Sequence, residues 1–220
     1  MLARLPAWLC LLLLAVACTG SFSRSPSSSP PPAAASLPRS CRAPVELPQP
    51  DPDRPRYHMR LAVRSEQREV DGRLRVAFTP DLDTGELVFR LWPNGPLQLE
   101  AGTSLEVGEV RSAGRPLKSR LTDPTTLEVD LSRQLQAHET IEVSMPWRLE
   151  LGGPSFDRLS ADGSSLRLGS FFPLLAWHPG SGWLRDPPTS SLAETSTSPV
   201  ADFDVFLRLP RGVEALATGR

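Results

Sequence analysis

Three features of the sequence predict an all-β domain, a curved antiparallel β-sandwich of saddle-like shape carried behind a signal peptide and a Pro/Ser-rich tether. Apolar and polar residues alternate from Tyr57 onward, turn-forming residues recur between the alternating runs, and strong helical periodicity is absent. Short strands separated by such turns bury their apolar faces by packing one sheet on another.

The elements follow in chain order. Residues 1–17 read as a signal peptide, with a basic start at Arg4, an apolar stretch from Trp8 to Ala17 and small residues at the exit. That stretch is far shorter than the roughly 20 residues of a membrane-spanning helix. Ala15-Val16-Ala17 suits an ordinary signal peptidase, and Leu14-Ala15-Val16-Ala17-Cys18 resembles a lipobox with Cys18 as the lipidated residue. The expectation is an exported chain in the cell envelope or outside the cell, held to the membrane by a lipid anchor if Cys18 is acylated. Residues 18–55 are rich in Pro and Ser and hold little that could repay ordering, so they read as a disordered tether with a span of about 30 Å.

The predicted folded domain covers residues 56–220. Its first strand sets Tyr57, Met59, Leu61 and Val63 on one face, and a second run over 70–79 sets Leu74, Val76 and Phe78 inward, with Asp71-Gly72 placed for a bend. Glu86 to Trp92 supplies a third strand, flanked by turn residues at Asp81 to Gly85 and Pro93-Asn94-Gly95-Pro96. Further strands are expected at 105–110, 127–131, 141–149, 166–168, 203–209 and 213–217. The predicted core includes Leu61, Val63, Val76, Phe89, Leu91, Val143, Phe203 and Val205. A folded region of about 165 residues is large enough to bury such a core without a disulfide.

Composition narrows the function classes. A formal net charge of -1 with intermixed charges implies neither nucleic acid nor an acidic partner surface. Arg dominates the basic residues, Lys118 being the single lysine. Of three cysteines, Cys10 leaves with the signal, Cys18 is the lipidation candidate and Cys41 stands in the tether without an intramolecular partner.

Motifs for chemistry are missing. A zinc hydrolase helix would show H-E-x-x-H, and the nearest approach, His138-Glu139-Thr140-Ile141-Glu142, lacks the second His and lies where a turn enters a strand. His58 and His178 read as structural or solvent-exposed. Ser155, Ser164 and Ser170 have no recognisable triad partners, and Asp202 with Asp204 read as solvent-face charges on one strand. The expected sets of catalytic residues and of metal ligands are both empty, and no cofactor is expected in this chain.

One stretch is unusual. Between Gly169 and Pro187 four aromatic rings, Phe171, Phe172, Trp177 and Trp183, lie among Pro and Gly. Two readings stand open: a loop folded over its own sheet, or a surface that docks on a neighbouring domain.

Four groups of residues bear on family. They are Tyr57-His58-Met59-Arg60-Leu61, Leu87-Val88-Phe89-Arg90-Leu91-Trp92-Pro93-Asn94, Phe172-Pro173-Leu174-Leu175-Ala176 with Gly182-Trp183, and Ala201 to Val205 followed by Leu209-Pro210-Arg211-Gly212 and Ala217-Thr218-Gly219. In order and spacing they resemble the N-terminal domain of bacterial zinc metallopeptidases of the aminopeptidase N type, the gluzincins. The resemblance implies a curved β-sandwich that packs beside a thermolysin-like catalytic domain and itself holds neither zinc nor the catalytic base. Its implied partner is that catalytic domain, in cis beyond residue 220 or in trans, and zinc is expected only there. The alternative is a cell-surface binding or adhesion module of a lipoprotein.

Overall fold

The computed structural model describes residues 51–153, 158–163, 165–190 and 198–218, all within the compact unit Pro48–Arg220. The signal peptide, Cys18, Cys41, most of the tether, Ser155 and Ser164 lie outside the described residues.

The strands are β1 (Arg56–Arg64), β2 (Glu69–Phe78), β3 (Thr84–Arg90), β4 (Ser104–Val107), β5 (Arg111–Ser112), β6 (Arg115–Pro116), β7 (Lys118–Asp123), β8 (Thr126–Leu135), β9 (Ile141–Glu150), β10 (Leu159–Asp162), β11 (Ser165–Leu168), β12 (Leu174–Leu175), β13 (Trp177–His178), β14 (Gly182–Trp183) and β15 (Asp202–Arg208). A large sheet runs in the order β15-β1-β2-β9-β5-β6, with β4 also pairing β9, and a second sheet runs β12-β3-β8-β7. Most pairs are antiparallel, and β15 lies parallel to β1. The fold is the all-β sandwich that the alternation predicts.

Alternation makes the core. In β9 every second residue is buried, from Ile141 through Val143, Met145 and Trp147 to Leu149, because successive side chains of a strand point to opposite faces. Tyr57, Met59, Leu61 and Val63 of β1 and Val70, Leu74, Val76 and Phe78 of β2 continue that face, and Leu87, Phe89, Leu127 and Val129 meet it from the second sheet. Tyr57 pins the two sheets together. Its hydroxyl accepts a hydrogen bond from the Leu175 N–H at 3.0 Å, joining β1 to β12 across the core. Burial pushes its phenol well above the ordinary tyrosine range, with the Leu175 N–H pulling the other way.

Five expectations need correction. Asp71 and Gly72 form no bend; they sit inside β2, where Gly72 stands opposite Trp147. The indole lies directly over the glycine, and a Cβ there would come within 2.0 Å of the Trp147 ring. Gly72 is glycine because a neighbouring ring fills its side-chain space. Pro93-Asn94-Gly95-Pro96 is more than a turn: a 3-10 turn over Trp92–Asn94 leads into a short helix, α1 (Pro96–Glu100), since Pro fits the first helical positions. The buried Asn94 amide donates to the Leu105 and Pro124 carbonyls and accepts the Leu105 N–H, stapling β4 and the β7–β8 turn to this corner. Residues 213–217 form no strand.

Residues 51–55, placed in the tether by composition, are tied to the domain: Pro55 is buried and its carbonyl accepts the Asp202 N–H. Finally, Phe203 and Val205 are 50% and 47% exposed instead of buried. They face the same way as Tyr57 and Met59, but β15 is the outermost strand and the second sheet does not reach over it.

Two outcomes test this packing. Gly72→Ala should destabilise the chain by about 1–3 kcal/mol in urea denaturation, because the added methyl must displace a buried indole. Tyr57 is the single tyrosine, so it gives a clean alkaline probe. With its folded-state pKa raised, its share of stability is fully present below the unfolded value near 10 and is lost as pH rises through the folded value. Tyrosinate absorbance at 295 nm should therefore appear only together with unfolding, and Tyr57→Phe should cost about 1–3 kcal/mol by leaving the Leu175 N–H unpartnered.

Candidate docking surface

The aromatic segment is held locally before it can present anything to a partner. Gly180 and Gly182, both at positive φ, turn the chain so that β13 and β14 pair with Trp177 opposite Trp183. This small hairpin hangs on the second sheet through the Ala176 N–H to the Val88 carbonyl at 2.9 Å and closes through the Leu184 N–H to the Ala176 carbonyl at 2.8 Å.

Each ring has a place in the domain. Phe171 is half-buried and meets Trp147 and Phe172 edge-on, with centroids 5.8 and 5.1 Å away. Phe172 is buried, edge-on to Tyr57 at 6.0 Å and to Phe203 at 5.9 Å. Trp177 is buried between Phe78 and Trp183, at 5.4 and 4.7 Å. Trp183 is half-buried against Phe78, and its indole N–H donates to the Thr84 hydroxyl at 2.9 Å. Such edge-to-face contacts add about 0.5–1.5 kcal/mol each beyond area burial. Burial of Phe172 and Trp177 favours the reading of a loop folded over its own sheet; only the outer edges of Phe171 and Trp183 remain open to solvent.

Asp81, in the turn between β2 and β3, clasps the hairpin. Its carboxylate accepts the Trp177 indole N–H at 2.7 Å and the Gly180 N–H at 2.6 Å. Partial burial alone would raise its pKa, yet these donors and the nearby His138 outweigh burial and hold it below the usual carboxylate range. Sequence reading took Asp81 only as a turn residue, since a partner nearly a hundred residues away leaves no local signal.

On the outer face of the second sheet a groove of about 490 Å³ is lined by Gly85, Glu86, Lys118, Ser119, Arg120, Glu128 and Asp130. Arg185 reaches it from the end of the aromatic segment and bridges Glu86 and Glu128, and Arg120 holds the other oxygen of Glu128 at 2.6 Å. Hydrogen bonds from Arg185 first, and from Arg120, keep the Glu128 carboxyl low. Glu86, Glu128, Arg120 and Arg185 pair with one another, and Lys118 and Asp130 add one charge of each sign, so the groove has no surplus of either sign.

The remaining residues of interest are dispersed. His138 sits in a turn at positive φ and bonds Asp53 at 2.9 Å, while Glu139 pairs with Arg133. His58 pairs with Asp204 across β1 and β15, Asp202 pairs with Arg54, and His178 bonds the Pro179 carbonyl. Among the described residues, His, Cys, Asp and Glu side chains nowhere gather in threes at metal-ligand spacing, so these residues do not fit a zinc ion. No helix among them is long and apolar enough to cross a membrane.

No family model matches the sequence, and no curated protein matches it. Solved structures do. The likeness is to M1 zinc metallopeptidases. The enzyme from Deinococcus radiodurans is 19% identical over 55% of this chain and 28% of its own, with a TM-score of 0.43. A point mutant of the Deinococcus radiodurans enzyme bound to a Tyr-Ser-Ala substrate is 18% identical over 76% of this chain and 35% of its own, with a TM-score of 0.49. A two-domain mutant M1 zinc metallopeptidase bound to L-arginine gives 19%, 76%, 35% and 0.49 for the same measures. The chain thus spans about a third of the length of these metallopeptidases, and at this identity the similarity is one of fold alone.

The clasp gives a test. Because Asp81 is held low, its contribution is present above the unfolded carboxylate value near 3.9 and is lost as pH falls through the folded value. Acid titration followed by tryptophan fluorescence should show the hairpin loosening below about pH 4. Asp81→Ala should cost about 1–3 kcal/mol at neutral pH, and Asp81→Asn should remove the acid-dependent share.

Proposed function

We propose that the chain is the non-catalytic N-terminal β-domain of an exported aminopeptidase N-like zinc metallopeptidase. In this reading it is carried to the envelope by residues 1–17, anchored through Cys18, and supports proteolysis by a catalytic domain supplied from elsewhere in the polypeptide or in trans. The observation that carries it is where the residues of the sequence resemblance fall. Leu87 to Asn94 lead into the corner that Asn94 staples, Phe172 to Ala176 and Gly182-Trp183 form the aromatic segment, and Tyr57 and Phe203 meet it from β1 and β15. These four separate stretches include joints between the sheets, which gives their order and spacing a physical cause.

In the same reading the open edges of Phe171 and Trp183 contribute to the face toward the catalytic domain, with Phe172 and Trp177 buried beneath as its support. Zinc belongs to that other domain, where it would polarise the scissile carbonyl and activate water. The residues of this chain supply a rigid wall.

The test has two arms. The coding sequence past codon 220, or a co-expressed partner gene, should encode H-E-x-x-H, and the purified chain alone should release no amino acid from aminoacyl reporters. Chelator-sensitive turnover by the chain alone, or a complete locus without any such motif, overturns the proposal.

A further inference from the structure

Asn94 is the single asparagine in the sequence, and a glycine follows it. In an unfolded chain an Asn-Gly pair closes a succinimide ring more readily than Asn before any other residue, because glycine has no side chain to hinder its nitrogen as it approaches the Asn amide. The fold keeps the two groups apart. Asn94 is 8% exposed, its amide nitrogen donates to the Leu105 and Pro124 carbonyls at 2.9 and 3.0 Å, and its oxygen accepts the Leu105 N–H at 2.6 Å. The Gly95 N–H, whose proton must leave before the nitrogen can attack, is buried and donates to the Trp92 carbonyl at 3.0 Å. Packing requires both members of this reactive pair. The corner uses both amide protons and the oxygen of Asn94, and a Cβ at Gly95 would come within 2.4 Å of the amide oxygen of the buried Gln98.

We propose that Asn94-Gly95 is a self-modification site that reacts only in chains that have not folded, and that the reacted chain is shut out of the native structure. In the step the Gly95 nitrogen bonds to Asn94 Cγ, the Cγ–Nδ2 bond breaks, and ammonia leaves with the proton that Gly95 gives up. Water then opens the ring at either carbonyl, leaving aspartate, or an isoaspartate whose backbone is one methylene longer. Neither product fits the corner. A carboxylate has no proton for the Leu105 and Pro124 carbonyls and would be buried facing both, and isoaspartate also lengthens the 3-10 turn that feeds α1. In the folded chain the reaction must wait for the corner to open, so its rate follows the small open fraction. This goes beyond the domain's proposed role in a peptidase and stands independently of it.

The experiment holds the purified chain in mildly alkaline buffer, with and without guanidinium chloride past its unfolding transition, and follows intact mass and peptide maps over time. Unfolded chains should gain about one dalton on the peptide carrying residues 94 and 95, and Asn94→Gln should abolish that gain. Without denaturant the gain should be at least about tenfold slower. When denaturant is removed, unmodified chains should recover the native melting temperature, while the heavier chains stay unfolded or melt below it. A smaller difference between folded and unfolded rates, a gain that survives Asn94→Gln, or reacted chains that refold to the native melting temperature would each overturn the proposal.

Discussion

The packing of this domain turns on one ring. Tyr57 stacks on Phe203 with centroids 4.9 Å apart, meets Phe172 edge-on, and fixes the backbone of Leu175 through its hydroxyl. Three parts of the chain, β1, the aromatic segment with its strand β12, and β15, thereby locate one another through a single buried side chain. A phenol suits the task because it fills the core as an aromatic does and still offers one oxygen to a main-chain donor that would otherwise be stranded.

Around that point the aromatic segment divides into two supports. Phe171 and Phe172 lean on the large sheet through Trp147 and Tyr57, and Trp177 and Trp183 lean on Phe78. The polar tips find partners in the turn between β2 and β3, Asp81 for one indole, and at the start of β3, Thr84 for the other. The sequence between them is rich in Pro and Gly because this path needs sharp reversals, not regular pairing.

Much of the fold was legible because a half-buried strand writes its burial into every second residue, as β1 and β9 do. The failures have a common cause, which is that one strand does not reveal what lies across from it. Gly72 resembles a turn glycine until Trp147 is seen above it. Phe203 and Val205 carry the alternation of buried residues, but the width of the covering sheet is not written in β15. The apolar, small-residue run at 213–217 alternates without becoming a strand for the same reason. Of the candidate site, the four rings were legible as a cluster, whereas the Asp81 clasp and the Asn94 staple depend on contacts distant in sequence. The paired states of His58 and His138 could not be read either, since Asp204 and Asp53 approach only after folding.

The parallel pairing of β1 with β15 has a consequence for biosynthesis. Every other neighbour in the large sheet joins strands that leave the ribosome before β10, but the edge of β1 opposite β2 must wait for residues 202–208. At about 5–20 residues per second, the roughly 140 residues between them leave that edge bare for some 7–28 s. Among the described residues no earlier strand pairs with that edge, so the sheet is left one strand short on that side until residues 202–208 arrive.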